Sequence, residues 1–318
     1  MERPMNLTAR SAEDLLACVP LVLGFVPQES VVMLGLGSGA VPHARVDLGS
    51  PDELDGAVRA LVGPAVRHRL RRVSLFVFTD LDRALGPSRR LLRAFGARGI
   101  EVVSLVAYDG RVWCWADPPV TGTTRHPFEV LTHPFVTEAV VAGRVVMASR
   151  EELARSLDPL PVRVAAVSAA LARTRRPAPG WVRETTAALV RQQAAPNAAQ
   201  TATLVLATAT AALRDEAWGE VSRAEAPAHV DVWRTVLRSC PPGHAAGPAA
   251  VLAFLAWRAG EGALAWCAVE VAHRGPGTCS LTELVVELLE QAISPDAWPP
   301  PAPESSEVRV LRGRRPAR

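Results

Sequence analysis

Two carboxylates one residue apart, Asp80 and Asp82, follow the apolar run Val73 to Phe78. Acids at the C-terminal end of a strand can hold magnesium for phosphoryl transfer, which is the chemistry of a metal-dependent hydrolase or phosphatase. The glycine and threonine expected after the second acid are replaced by Arg83 and Ala84, and the chain has no lysine to complete such a site. Asp80 and Asp82 therefore read as solvated loop acids, with the hydrolase as the alternative.

Four other constellations carry chemistry. Cys114, His126 and His133 offer zinc ligands across a flexible loop, but their spacing matches no compact pattern and a fourth ligand is wanting. His43, Arg45 and Asp47 alternate with Ala44, Val46 and Leu48, so the three polar side chains share one face of a strand. On an open face they could bind an anionic or polar ligand; under helices, Arg45 and Asp47 pair structurally, the reading favoured here. The run Arg67-His68-Arg69-Leu70-Arg71-Arg72 is the densest positive patch of the body, and Trp113 and Trp115 add aromatic surface to the same sheet. Nucleic acid uses such pairs, cations on phosphate and rings on bases. The bland counterpart is a solvated connection beside core tryptophans. Ser30 lacks the glycine-flanked elbow of an activated nucleophile and reads as a strand entry. Gly35, Gly37 and Gly39 precede a strand, not a helix N-terminus, and so are hairpin glycines.

Composition narrows the classes. All 35 basic residues are arginine, which removes Schiff-base lysines and phosphate-loop lysines. The formal charge is +3; residues 301–318 hold five arginines against two acids, so the preceding 300 residues carry thirty of each. A balanced body has no strong field to steer polyanions, which disfavours a dedicated nucleic-acid groove. Five cysteines without paired spacing read as reduced thiols of a cytoplasmic protein. No signal pattern opens the chain and no uncharged apolar run reaches membrane-spanning length, so neither secretion nor a membrane role is expected.

The elements that must position these residues change character midway. Asp14 to Leu36 contains a helix starting near Ala12 with Ser11 and Asp14 as a capping box, a stop or kink at Pro20, a left-handed turn at Gly24 and a strand from Val31. Phe25 is expected to anchor the elbow between that first helix and the sheet. Strands follow at 43–48, 72–79, 100–108 and 111–115, with helices near 51–62 and 87–96 and a Pro/Thr/Gly-rich loop over 117–134. From Ser149 the apolar period is helical, predicting helices near 150–157, 162–173, 180–193, 198–217, 230–239, 248–258, 262–273 and 281–292. The expected organisation is an α/β domain with a mixed sheet and flanking helices over 1–148, an all-α helical domain over 149–298, and a disordered Pro/Arg-rich tail over 299–318. Helices 250–273 resemble one helix-turn-helix repeat of a solenoid, in a single copy.

The run LLACVPLVLGFVPQESVV resembles the opening block of an actinobacterial family of uncharacterised proteins, catalogued as domain of unknown function forty-one ninety-two. RVDL at 45–48, EAVVAGRVVMASREEL at 138–153 and AVLAFLAWRAGEGALAWCAVEVA at 250–272 resemble the same family. The resemblance implies no activity, substrate or catalytic residue, because the family has none assigned. Relatives often carry a cysteine-rich patch after the tryptophan strand, of which this chain keeps only Cys114. The expectation is a non-catalytic binding or interaction protein without a cofactor. Its helical half presents a surface to a protein partner, and a small-molecule ligand is admissible at the His43 to Asp47 face. The metal-dependent hydrolase and the nucleic-acid binder are the alternatives.

Overall fold

The computed structural model describes residues 8–37, 41–116, 124–275 and 279–298. The central hairpin residues, including Gly39, part of the Pro/Thr/Gly-rich loop and the tail from 299 lie outside the described residues. Helix α1 (Ala12–Leu23) opens on the expected capping box: the Asp14 amide donates to Ser11 Oγ at 3.0 Å and the Ser11 amide returns to the Asp14 carboxylate at 3.1 Å. The helix passes through Pro20 to Leu23, beyond the predicted stop, because a proline in the last turn removes only one donor. Gly24, at φ 80°, supplies the left-handed cap and donates its amide to the Pro20 carbonyl at 2.8 Å.

Six strands follow in one mixed sheet: β1 (Ser30–Leu36), β2 (His43–Asp47), β3 (Arg72–Phe78), β4 (Glu101–Tyr108), β5 (Val112–Trp115) and the short β6 (His126–Pro127), in spatial order β2-β1-β3-β4-β5-β6. Among the described strands only β3 and β4 pair in parallel. Their crossover is α3 (Leu85–Gly96), while α2 (Leu54–Arg67) links β2 to β3. Both helices cover one face, placing Leu61, Leu91 and Phe95 on Val31, Met33, Leu75 and Leu105. The other face carries Val32, Phe76, Val106 and Tyr108 under Leu16 and Val19 of α1. Strand alternation thus feeds two cores from one sheet.

Three N-terminal elements depart from expectation. Helix α2 runs to Arg67 with Pro64 inside it, five residues past the predicted end. Strand β6 lies in the stretch read as loop, and α4 (Pro134–Val141) begins at that stretch's last residue, where no helix was expected. Helix α4 is capped by His133, whose Nδ1 accepts the Phe135 amide at 3.2 Å, with Pro134 at the first helical position.

The second part is helical: α5 (Arg150–Arg155), α6 (Pro161–Leu171), α7 (Trp181–Gln192), α8 (Ala198–Ala207), α9 (Ala211–Asp215), α10 (Ala226–Ser239), α11 (Ala246–Ala259), α12 (Gly262–Arg274) and α13 (Ser280–Glu290). The single helix expected over 198–217 is broken at Thr208-Ala209-Thr210. There the threonine hydroxyls bond back to Val205 and Ala207 carbonyls, at 2.7 and 3.2 Å, and compete with the helical pattern. Residues Pro248 to Arg258 of α11 are all buried, so this helix is the axis on which α10, α12 and α13 pack.

Phe25 corrects the expectation made for it. The ring is buried in the core of the helical part, with Val251, Leu264 and Val285 among that core's members, not between α1 and the sheet. The backbone explains the shift: Val26 donates to the Met147 carbonyl at 3.0 Å and Met147 donates to Gly24 at 2.9 Å, stitching the elbow to the chain just ahead of α5. The elbow is a joint between the two parts. Among the described residues, no helix is long and apolar enough to cross a membrane.

Candidate functional site

A groove of about 1170 Å³ lies between β2 and α2 on one side and the α11–α12 turn, α12 and the end of α13 on the other. Its sheet wall is the outer edge of β2, which pairs with no strand among the described residues. The ladder to β1 is fixed in register by the Leu48 amide on the Glu29 carbonyl, 2.8 Å, and the Gly35 amide on the Pro42 carbonyl, 3.2 Å. Gly35 is required at that approach, since a Cβ there would sit 2.6 Å from the Pro42 carbonyl oxygen. Antiparallel pairs alternate between bonded and non-bonded, so Val31/Val46 and Met33/Ala44 exchange the ladder bonds. The amides and carbonyls of His43, Arg45 and Asp47 therefore point outward, away from β1.

The side chains of the same three residues share the face of Val32, as the alternation required. Arg45 is the most enclosed of them, with its side chain 14% exposed. Its Nη2 meets Asp47 Oδ1 at 2.6 Å, but Asp47 stands at the rim, 77% exposed. The guanidinium carbon lies 5.6 Å from the centroid of the Phe25 ring, a cation–π contact that fixes its direction. Arg45 Nε is buried and has no hydrogen-bond partner among the described residues. Desolvation holds the Arg45 pKa below its ordinary value, and the nearby Arg150 charge pushes the same way against Asp47. Arg150, the first residue of α5, reaches the groove from the helical part and is ion-paired with Glu270 of α12. His43 is open at the groove surface yet enclosed by protein on its other sides, and the resulting desolvation lowers its pKa.

The walls add Arg59 and Arg67 from α2 and Arg223, against Asp47, Glu290 and Asp296. Two of those three acids are already engaged, Asp47 by Arg45 and Asp296 by Arg223. The lining is positive on balance, with Trp257 and Trp266 among its apolar residues. His68 Nε2 meets the Gln291 carbonyl at 3.0 Å and Arg67 donates to the Glu290 carbonyl at 3.4 Å, tying α2 to the end of α13.

The remaining candidates are not assembled into one site. The run from Arg67 to Arg72 splits: Arg67 faces the groove, whereas Arg69, Arg71 and Arg72 line a separate depression of about 560 Å³ with Arg98, where Arg72 pairs with Glu101 at 3.4 Å. Trp113 is buried and donates to Glu13 at 3.2 Å, so only Trp115 offers ring surface. Asp80 and Asp82 are exposed, as loop acids should be; Asp80 accepts the Asp82 amide at 2.9 Å and Asp82 pairs with Arg125 at 2.9 Å. The zinc set falls apart because adjacent strand residues face opposite ways. Cys114 enters the α2/α3 core, His126 stacks on Trp113 at 4.4 Å on the other face, and His133 pairs with Asp14 at 3.2 Å. Among the described residues no group of three His, Cys, Asp or Glu side chains could hold a metal ion.

Sequence reasoning missed Arg150 and the ring beneath Arg45. Neither has a local signal, since Arg150 is 105 positions from Arg45 and the elbow's destination is decided by long-range packing. No curated protein and no solved structure matches this chain. The family model described as Domain of unknown function (DUF4192) matches residues 13–296, and the chain belongs to that family.

Proposed function

We propose that the protein is a binding protein whose groove holds an anionic group between Arg45 and Arg150. The observation that carries this reading is the Arg45 guanidinium, largely enclosed in the groove wall and close enough to Arg150 for the two charges to act on each other. A desolvated cation costs free energy that an anion beside it offsets. Arg150 supports the assignment: two guanidiniums that repel one another across a groove are drawn together electrostatically by an anion between them.

Titration calorimetry with pyrophosphate and with citrate tests the proposal on the whole protein and on Arg45→Gln. Binding of either anion by the parent, weakened at least tenfold in the variant, supports it. Absence of binding, or equal binding by both proteins, overturns it.

A further inference from the structure

One wall of the groove, the outer edge of β2, pairs with no strand among the described residues. We infer that the groove takes an extended acidic peptide segment that adds to β2 as a seventh strand, an inference that rests on the anionic reading of the same site. His43, Arg45 and Asp47 turn three amides and three carbonyls outward, and the edge they form borders a groove of about 1170 Å³. An open edge is a template for pairing, and proteins ordinarily shorten or cover it. Here α2 and the α11–α13 wall stand on either side and leave room between them.

Geometry and charge choose the occupant. A five-residue strand spans about 17 Å at roughly 3.4 Å per residue, so a segment of five to seven residues fills the edge. Main-chain hydrogen bonds then supply affinity whatever the sequence, and alternate side chains supply selection. In an added strand, every second side chain lies on the Arg45 face, where Arg45 and Arg150 call for Glu or Asp. The intervening side chains lie toward α2, where Ala60 and Gly63 form a shallow wall suited to small residues. A nucleic acid would meet the same cations but has no donors and acceptors at strand spacing to satisfy the three outward residues.

The probe is a blocked heptapeptide alternating Glu and Thr, with two further versions carrying N-methyl groups either on the Glu amides or on the Thr amides. Residue-resolved hydrogen exchange on the full chain reads the backbone directly. Expected on adding the peptide is slowed exchange, at least tenfold, at the amides of His43, Arg45 and Asp47. Ala44 and Val46, already bonded to β1, change little. Methylation in the register that faces β2 abolishes the effect, and Arg45→Gln weakens binding of the unmodified peptide.

Each outcome discriminates. Arg45-dependent binding of pyrophosphate or citrate without protection by the peptide overturns strand addition and leaves the anion site standing. Peptide binding that ignores N-methylation in both registers likewise overturns strand addition. Binding of neither peptide nor small anion removes both readings together.

Discussion

Replacing Phe25 with alanine probes the joint and the groove at once. The ring is 1% exposed and sits in the helical core while its face supports Arg45. A buried phenylalanine withdraws roughly 150–250 Å² from water. At about 25 cal/mol per Å² most of that area is worth about 3–4 kcal/mol before any cavity is counted. Measured large-to-small changes of this type run about 3–5 kcal/mol. Phe25→Ala belongs in the upper half of that range, because Arg45 loses its ring in the same step. Urea unfolding followed by tryptophan fluorescence is a suitable assay, since Trp257 and Trp266 lie in or against the same core. Phe25→Leu, which keeps most of the volume, should cost under about 1.5 kcal/mol. In a double-mutant cycle with Arg45→Gln, the ring and the guanidinium should show a coupling of about 0.5–2 kcal/mol. A loss below about 1 kcal/mol for Phe25→Ala would refute the burial argument. Zero coupling would refute the contact on which the orientation of Arg45 rests.

Three further outcomes are expected. Gly247→Ala should destabilise by about 1–3 kcal/mol in thermal unfolding, because the new Cβ would overlap Thr208 Oγ1; Thr208→Ala in the same chain should recover part of the loss. His229 is buried and desolvation lowers its pKa below the ordinary value, so the unfolded chain binds its proton more readily. Its contribution is complete above about pH 6.5 and is lost as the pH falls toward the folded value, by up to about 1.4 kcal/mol per unit; His229→Gln should flatten that slope in urea midpoints taken from pH 5 to 7.5. Native alkylation at pH 8 should modify the half-buried Cys279 first, and Cys18 slowly because burial pushes its thiol up to about 11. Cys240, pushed up to about 12, and the buried Cys114 and Cys267 should stay unmodified by mass spectrometry until the chain is unfolded.

What could be read from the sequence was local. Ser11 and Asp14 named their own cap, Gly24 its turn, and the alternation of residues 43–48 placed three polar side chains on one face, all within a few residues of their effect. The switch of period after Ser149 likewise announced the helical part, and Ser149 does cap α5 by accepting the Glu152 amide at 3.2 Å. The failures are of two kinds. One is competition between local rules: Pro64 sits inside α2, and Thr208 and Thr210 break a segment whose composition is helical. A histidine cap on α4 escaped because the usual caps are serine, threonine, aspartate and asparagine. The other kind is long-range. Phe25 was read as inward-facing, which it is, but no spacing rule says which core an inward residue joins. Arg67 left its run of arginines for the same reason, drawn by the carbonyl of Glu290, 223 residues away.

The groove follows from that long-range part of the folding problem. Its cations come from both parts of the chain, Arg45, Arg59 and Arg67 from one and Arg150 and Arg223 from the other, and no single stretch of sequence carries the excess of charge. A balanced overall composition argued against a polyanion-binding surface, and that argument holds for long-range steering, which sums charge over the whole molecule. Recognition at one desolvated guanidinium depends instead on the few groups within reach of it, where neutralisation elsewhere has little effect. The elbow makes those few groups meet: the Gly24–Met147 and Val26–Met147 bonds bring Phe25 under Arg45 and hold the chain just ahead of α5, with Arg150 at its start, beside it. A ligand seated between Arg45 and Arg150 therefore touches both parts at their joint, so its binding energy resists their separation as well as the unfolding of either one.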